Sequence, residues 1–266
     1  MSISGYGAVI ALAMLEGALV ALPRADALEP LRRLRSPVWA ALLPGSILLG
    51  TFGPLALPSM APALVVLARI VTPLLAAVAV VAVARGSRQA LLIVALALAL
   101  VAAFISGWAG QLSASVLTAL GCLALGSAVV RLIPPGWILI GILVMAAADL
   151  ALLTSGVGHS AGVIMADATA NVHGPVFDQA GVGGVSIDYP DLVLAGMLGV
   201  LAAGRNHQWT AAVLVAMIAA VFGMVLPIGS GLPATVPIAL TFVLLECARL
   251  AQRRRVPGIP AAASAT

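Results

Sequence analysis

Two aspartates, Asp149 and Asp191, lie inside long apolar stretches of this 266-residue chain. An ionisable side chain at membrane depth is costly, so it is first treated as a candidate functional group. Two carboxylates brought together where water is scarce cannot both ionise, and they share a proton. Such a pair can perform acid–base hydrolysis, because one carboxylate takes a proton from water while the other gives one to a carbonyl oxygen.

The composition excludes a water-soluble enzyme. Hydrophobic residues make up 62% of the chain and charged residues 8%, whereas soluble domains carry about 25% charged residues. The two cysteines, Cys122 and Cys247, lie in apolar stretches and indicate no disulfide framework. All 13 basic residues are arginines scattered between apolar blocks, so no nucleic-acid partner is expected. We therefore expect an integral protein of a bacterial plasma membrane, with the lipid bilayer as a partner and no cofactor.

Apolar stretches long enough to cross a bilayer predict an all-α polytopic fold with about nine transmembrane helices. One transmembrane domain is expected over 1–255, followed by a disordered tail at 256–266. In the third stretch, Arg69 leaves an alternative in which 58–69 lies at the interface and a shorter helix begins at Ile70. The predicted helices cover 3–22, 38–57, 63–84, 89–107, 112–132, 136–155, 187–203, 209–228 and 232–250.

The arginines give an orientation, because basic residues favour the cytoplasmic side. They follow the odd-numbered predicted helices, and the connections after the even-numbered helices carry none. This alternation supports nine spans and places the N-terminus outside and the C-terminus in the cytoplasm. The residues concerned are Arg24, Arg32, Arg33, Arg35, Arg85, Arg88, Arg131, Arg205, Arg249, Arg253, Arg254 and Arg255.

Counting along the helices places the two aspartates in one layer near the outer face. Asp149 lies six residues before the end of the sixth predicted helix at Ser155, and Asp191 lies four residues after the start of the seventh at Ile187. At about 1.5 Å per residue, these positions are roughly 9 Å and 6 Å below the outer boundary.

Small side chains predict close contact between the sixth and seventh helices. Ala195 and Gly199 follow Asp191 in steps of four, and Gly141 and Ala146 lie on the sixth helix. Small faces allow helix backbones to approach closely in lipid.

The only long connection, 156–186, carries a hairpin pattern. Pro175-Val176-Phe177 and Val185-Ser186-Ile187 flank a glycine-rich turn at 181–184, which predicts a small β-hairpin before the seventh helix. The same connection contains acids and histidines whose spacing fits no compact metal motif, so solvated loop residues are the preferred interpretation and no metal is expected. They are His159, Asp167, His173 and Asp178.

The ninth helix opens with Pro233-Ala234-Thr235-Val236-Pro237. The two prolines lack N–H donors and leave carbonyl groups unpaired in the first turn. Irregular backbone at membrane depth is tolerated only against protein or a wet cavity. A hydrated outer cavity bounded by the sixth, seventh and ninth helices is therefore predicted.

This layout resembles the presenilin and signal-peptide-peptidase family of intramembrane aspartyl proteases. Ala148-Asp149 corresponds to the family's Tyr-Asp, and Asp188-Tyr189-Pro190-Asp191 to its Gly-x-Gly-Asp. Pro233-Ala234-Thr235 corresponds to its Pro-Ala-Leu. The orientation, with the N-terminus outside, is similar to the signal-peptide-peptidase branch.

The resemblance implies proteolysis of single-span membrane proteins or signal peptides, cut near their outer end by a dyad of Asp149 and Asp191. A hairpin over 175–189 would dock the unwound substrate. The residues implied to bind substrate are Pro233, Ala234, Thr235, Val185, Ile187 and Tyr189.

Other interpretations remain open. The same two aspartates can serve a proton- or ion-coupled transporter of small solutes, and Asp188 can replace Asp191 in the dyad. A prepilin-peptidase-like enzyme is disfavoured, because its aspartates would lie at the cytoplasmic face. Glu16 and Arg69 are expected to pair within the bundle, or Arg69 extends outward along the helix.

The orientation predicts that a cysteine at position 160, within the long connection, is accessible from outside the cell. We expect a membrane-impermeant maleimide to label Ser160→Cys in intact cells, in a background without Cys122 and Cys247. Labelling that requires opening of the membrane would contradict the topology.

Overall fold

The computed structural model describes residues 3–171, 175–177, 179–182, 184–225 and 235–255, most of which are helical. Short 3₁₀ segments at Glu29–Leu34, Pro37–Ala41 and Gln89–Leu91 lie in the connections. The strands are β1 (Gln179–Val182) and β2 (Val185–Asp188). The α-helices are α1 (Ile3–Ala21), α2 (Leu42–Ala56), α3 (Met60–Val78, continued by a π turn at Ala79–Val83), α4 (Leu92–Phe104), α5 (Trp108–Leu132), α6 (Pro135–Ser155), α7 (Val157–Asn171), α8 (Tyr189–Ala203), α9 (Gln208–Val225) and α10 (Thr235–Arg255).

Five helices are long and apolar enough to cross a membrane, counted over the described residues. Three further apolar helices are shorter, at Gly5–Ala21, Gln89–Phe104 and Tyr189–Ala203. A helix lies at each of the nine predicted positions, but the count of nine spans stays a prediction. The five long segments are Pro37–Ala56, Met60–Val83, Trp108–Leu132, Pro135–Leu152 and Gln208–Val225.

The third predicted helix is continuous around Arg69. It begins at Met60, and Pro62 falls in its first turn, where the missing N–H removes no helical hydrogen bond. A shorter helix that begins at Ile70 is therefore not formed, and the position of 58–69 relative to a membrane stays a prediction.

Helices α5 and α8 form the centre of the bundle, and two glycines set their separation. A β-carbon on Gly126 would lie 2.4 Å from the carbonyl oxygen of Val193, and one on Gly196 would lie 3.1 Å from the Cα of Leu123. The backbones of the two helices are therefore in direct contact, as small residues allow in membrane helices.

The expected pairing of the sixth and seventh helices through small residues is wrong. Gly199 faces α1, where a β-carbon would lie 2.6 Å from the Val20 carbonyl oxygen. Gly141 faces α2, where a β-carbon would lie 2.7 Å from Cδ1 of Leu43. Within the described part of the chain, α6 and α8 share no extended interface, and α10 contacts both of them.

The long connection contains a helix that the sequence analysis missed. Gly156, with a φ of 72°, ends α6 in a left-handed turn, and α7 follows at once. Ala168 of α7 packs against Ala61 and Val65 of α3, with Ile164 and Met165 beside them. The apolar spacing 161, 164, 165, 168 is helical and was the available signal.

A β-hairpin is present before α8, but its first strand is Gln179–Val182 rather than the predicted 175–177, and Gly181 and Val182 belong to this strand instead of the turn. Strands β1 and β2 pair antiparallel, with Gln179 opposite Asp188 and Val182 opposite Val185. Gly184 has a φ of 83°, a conformation that favours glycine, in the turn between them. Strand β2 runs directly into α8, so this helix begins at Tyr189 rather than at the predicted position 187.

Arginines tie several connections together at one end of the bundle, called here the arginine-rich end. The Arg85 guanidinium donates to the side-chain carbonyl of Gln208. The Gln208 amide in turn donates to the Val20 and Pro23 carbonyls, at 2.9 Å and 2.8 Å. The connection after α1, the one after α3 and the start of α9 therefore meet at this end.

Arg131, near the end of α5, holds the connection after α1 at the same end. Its guanidinium donates to the carbonyls of Ala27, at 2.7 Å, and Ala25, and lies 3.0 Å from the Glu29 carboxylate. A hydrogen bond from Arg32, with the charge of Arg131, lowers the pKa of Glu29 below its usual value. Which side of the membrane this end faces stays a prediction.

Candidate functional site

Asp149 is held by the first residue of α10. Its half-buried carboxylate accepts a hydrogen bond from the Thr235 hydroxyl, with Oγ1 and Oδ2 2.5 Å apart. Thr235 is fully buried and belongs to the predicted Pro233-Ala234-Thr235 motif. Pro233 and Ala234 lie outside the described residues. The structure therefore joins two of the three sequence motifs through one hydrogen bond.

Asp191 is the third residue of α8 and its side chain is buried. It lies beside the buried Cys122 thiol of α5. That thiol donates to the Tyr189 carbonyl, with Sγ and O 3.5 Å apart. A carboxylate in the first turn of a helix is also favoured by the helix dipole. Asp191 therefore stabilises the start of α8 whatever its other function.

The two aspartates lie at similar distances from the arginine-rich end. Asp149 is 14 residues from the start of α6 at Pro135, and Asp191 is 12 residues from the end of α8 at Ala203. At about 1.5 Å per residue, these separations are roughly 21 Å and 18 Å. Helix α10, which contacts both α6 and α8, carries Thr235 at its opening turn.

A polar stripe on α5 holds the segment that leads to Asp191. The Ser115 hydroxyl donates to the Gly181 carbonyl and accepts from the Gly181 N–H, both at 3.0 Å. The Thr118 hydroxyl donates to the Phe177 carbonyl at 3.4 Å. With Cys122, these residues follow an i, i+3, i+7 spacing on one face of α5. The sequence analysis missed this stripe, although its spacing was visible.

The hairpin packs along the side of α5. Ser115 is seven residues inside α5, roughly 10 Å from the Trp108 end of this helix. At Gly181, the backbone N–H and carbonyl of β1 that point away from β2 are hydrogen-bonded to the Ser115 hydroxyl. The depth of Asp191 below an outer boundary stays a prediction.

The remaining predicted substrate-binding residues lie on or next to the hairpin. The Ile187 side chain is buried in the core, and its backbone pairs with Ala180 of β1, so it offers no group to a ligand without rearrangement. Val185 and Tyr189 are partly buried beside the same core. Asp188 is the last residue of β2 and is exposed.

Arg69 extends toward the segment before the hairpin. Its Nε donates to the Pro175 carbonyl at 3.1 Å, which fits an outward-reaching side chain. Glu16, on α1, is buried with 1% of its surface exposed. Its Oε1 has no hydrogen-bond partner among the described residues.

The structure does not test whether the histidines and acids of the long connection bind a metal ion. His173 and Asp178 lie outside the described residues, and Asp167 is exposed on α7. Over the part of the chain that the structure describes, no group of three or more potential ligands gathers for a metal ion.

Comparison with known proteins gives no relative: no family model, curated protein or solved structure matches the chain.

The Ser115 contact predicts a specific effect on the hairpin. We expect Ser115→Ala to speed hydrogen exchange at the backbone amides of 179–188, because the Gly181 N–H and carbonyl lose their partner. A buried polar group left without a partner costs about 1–3 kcal/mol. Hydrogen-exchange mass spectrometry of the protein in detergent measures this.

Ser127→Ala is the matched control, because the Ser127 hydroxyl bonds the Leu123 carbonyl within its own helix. Equal exchange of the hairpin in the two variants would show that Ser115 does not anchor it.

Proposed function

We propose that the chain is an intramembrane aspartyl protease that uses Asp149 and Asp191 to cut transmembrane helices. The observation that carries the proposal is the hydrogen bond from Thr235 to Asp149. It connects the acidic motif of α6 with the proline motif that opens α10, as the resemblance to presenilins and signal peptide peptidases implies. The similar depth of Asp191 along α8 supports the same interpretation.

The two carboxylates have different surroundings. The hydrogen bond that Thr235 donates to Asp149 favours the ionised form of this carboxylate, and such a bond contributes about 1.5–3 kcal/mol. Asp191 is buried in the first turn of α8. In the proposed reaction, one carboxylate takes a proton from water while the other gives one to the carbonyl oxygen.

The hairpin gives a place for an unwound substrate. A peptide bond in a helix is shielded, so cleavage requires local unwinding, and the freed backbone groups need partners where water is scarce. Strand addition to a hairpin supplies such partners. Because β2 runs directly into α8, a segment docked on the hairpin lies within a few residues of Asp191.

Glu16 favours a second candidate, a proton-coupled carrier of small solutes. An ionisable residue buried in a membrane bundle often belongs to a proton relay. Glu16 is on α1, which packs against α8, and it lies five residues from the arginine-rich end of its helix. In this function Asp149, Asp191 and Glu16 would carry protons between the two ends of the bundle.

The proposal predicts that the two aspartates act as one unit. We expect Asp149→Asn and Asp191→Asn each to lower cleavage of a single-span reporter by about 10²–10⁴-fold, the range of acid–base catalysis. The double variant should lose no more than either single variant, because one carboxylate alone cannot complete the step. Reporter cleavage in proteoliposomes measures this.

Asp167→Asn, on the exposed face of α7, is the control and should keep full activity. Loss of cleavage in only one of the two aspartate variants would contradict the dyad. Unchanged cleavage with lost solute uptake in both would support the carrier.

The hydrogen bond to Asp149 predicts an effect of Thr235 on the pH profile. We expect Thr235→Val to lower kcat by about 10- to 100-fold, because one charge-assisted hydrogen bond is lost. The limb of the bell-shaped profile that reports Asp149 should move to higher pH, since the ionised form of Asp149 loses its donor. Thr235→Ser retains a hydroxyl and should behave like the wild type.

Thr241→Val is the matched control on the same helix, because the Thr241 hydroxyl is buried without a hydrogen-bond partner among the described residues. An equal loss of activity in Thr235→Val and Thr241→Val, with no shift of the profile, would limit Thr235 to packing.

A further inference from the structure

A cleft with an apolar floor and a basic rim lies at the arginine-rich end, between α8, the turn before α9, and α10. Leu198, Leu201, Phe242 and Leu245 form its floor. Arg205, His207 and Arg249 form its rim. Neither the proposed protease nor the carrier uses this cleft, whose first lining residue on α8, Leu198, is seven residues from Asp191.

The rim carries excess positive charge. Glu246 accepts from Arg205 and lies 3.5 Å from the Arg249 guanidinium, so one carboxylate faces two arginines. About a third of the Arg205 side chain and 42% of the Arg249 side chain remain exposed. A guanidinium has several N–H donors in a planar fork, and one carboxylate leaves some of them available to a further anion.

An exposed tryptophan next to the cleft is typical of a membrane interface. Trp209, two residues after His207, exposes 68% of its surface, and tryptophan is enriched where lipid headgroups meet the acyl chains. Gln208, the residue before Trp209, donates hydrogen bonds to the Val20 and Pro23 carbonyls at the end of α1. Positions 253–255, which follow the cleft along α10, are arginines in the sequence.

We propose that the cleft binds one anionic phospholipid of the adjoining leaflet. Arg205 and Arg249 would hold the phosphate diester, since guanidinium groups pair with phosphate oxygens in a bidentate manner. One acyl chain would lie along the partly buried Leu201 and Leu245. The excess positive charge selects an anionic lipid over a zwitterionic one.

The test measures phospholipid binding to the full-length protein in detergent by native mass spectrometry, with phosphatidylglycerol, phosphatidylcholine and inorganic phosphate as probes. Phosphatidylglycerol should bind the wild type more tightly than phosphatidylcholine. Arg205→Gln and Arg249→Gln should each weaken its binding about fivefold, the effect of one basic residue near an anionic lipid.

Glu246→Gln gives a second, independent expectation, because removal of the competing carboxylate should tighten phosphatidylglycerol binding. Arg88→Gln removes an exposed arginine outside the cleft at the same end and should leave binding unchanged.

Three outcomes would overturn the proposal. Equal weakening by Arg88→Gln and Arg205→Gln would indicate general surface charge. Unchanged or weaker binding in folded Glu246→Gln would exclude competition at the rim. Binding of inorganic phosphate as tight as that of phosphatidylglycerol would indicate a free-anion site without a lipid chain.

Discussion

Backbone groups inside a membrane must find their partners within the protein, and this requirement organises the centre of the bundle. The segment before α8 is not helical, yet it lies against the interior of the spanning helix α5. Ser115, Thr118 and Cys122 satisfy its carbonyls at Gly181, Phe177 and Tyr189. The hairpin, the start of α8 and the burial of Asp191 all follow from this contact.

The same requirement is met at the arginine-rich end by one charged and one polar side chain. There, Arg131 and Gln208 satisfy carbonyls at the end of α1 and in the connection that follows it. A guanidinium reaches several carbonyls at once, so one side chain fixes a whole connection. The rigid end that results also presents the basic rim of the cleft between α8 and α10.

The two aspartates owe their properties to different neighbours. Asp149 is half-buried and receives a hydroxyl donor from another helix, whereas Asp191 is buried in the first turn of its own helix. A pair with unequal surroundings suits chemistry that needs a base and an acid together. Glu16 is a third carboxylate within an apolar helix. Its burial on α1 is the reason that a proton-coupled carrier is the second candidate function.

The sequence by itself determined the membrane class, the helical fold, the approximate helix positions and the hairpin, because these depend on composition and local pattern. It also indicated α7 through a spacing that was overlooked. Only the tertiary structure decided that Gly199 faces α1, that Gly141 faces α2, and that Thr235 bonds Asp149. Helices that are apolar on every side carry little periodic signal for their partners, since lipid and core are equally apolar. Their pairing is set by shape and by a few polar contacts between residues far apart in the chain.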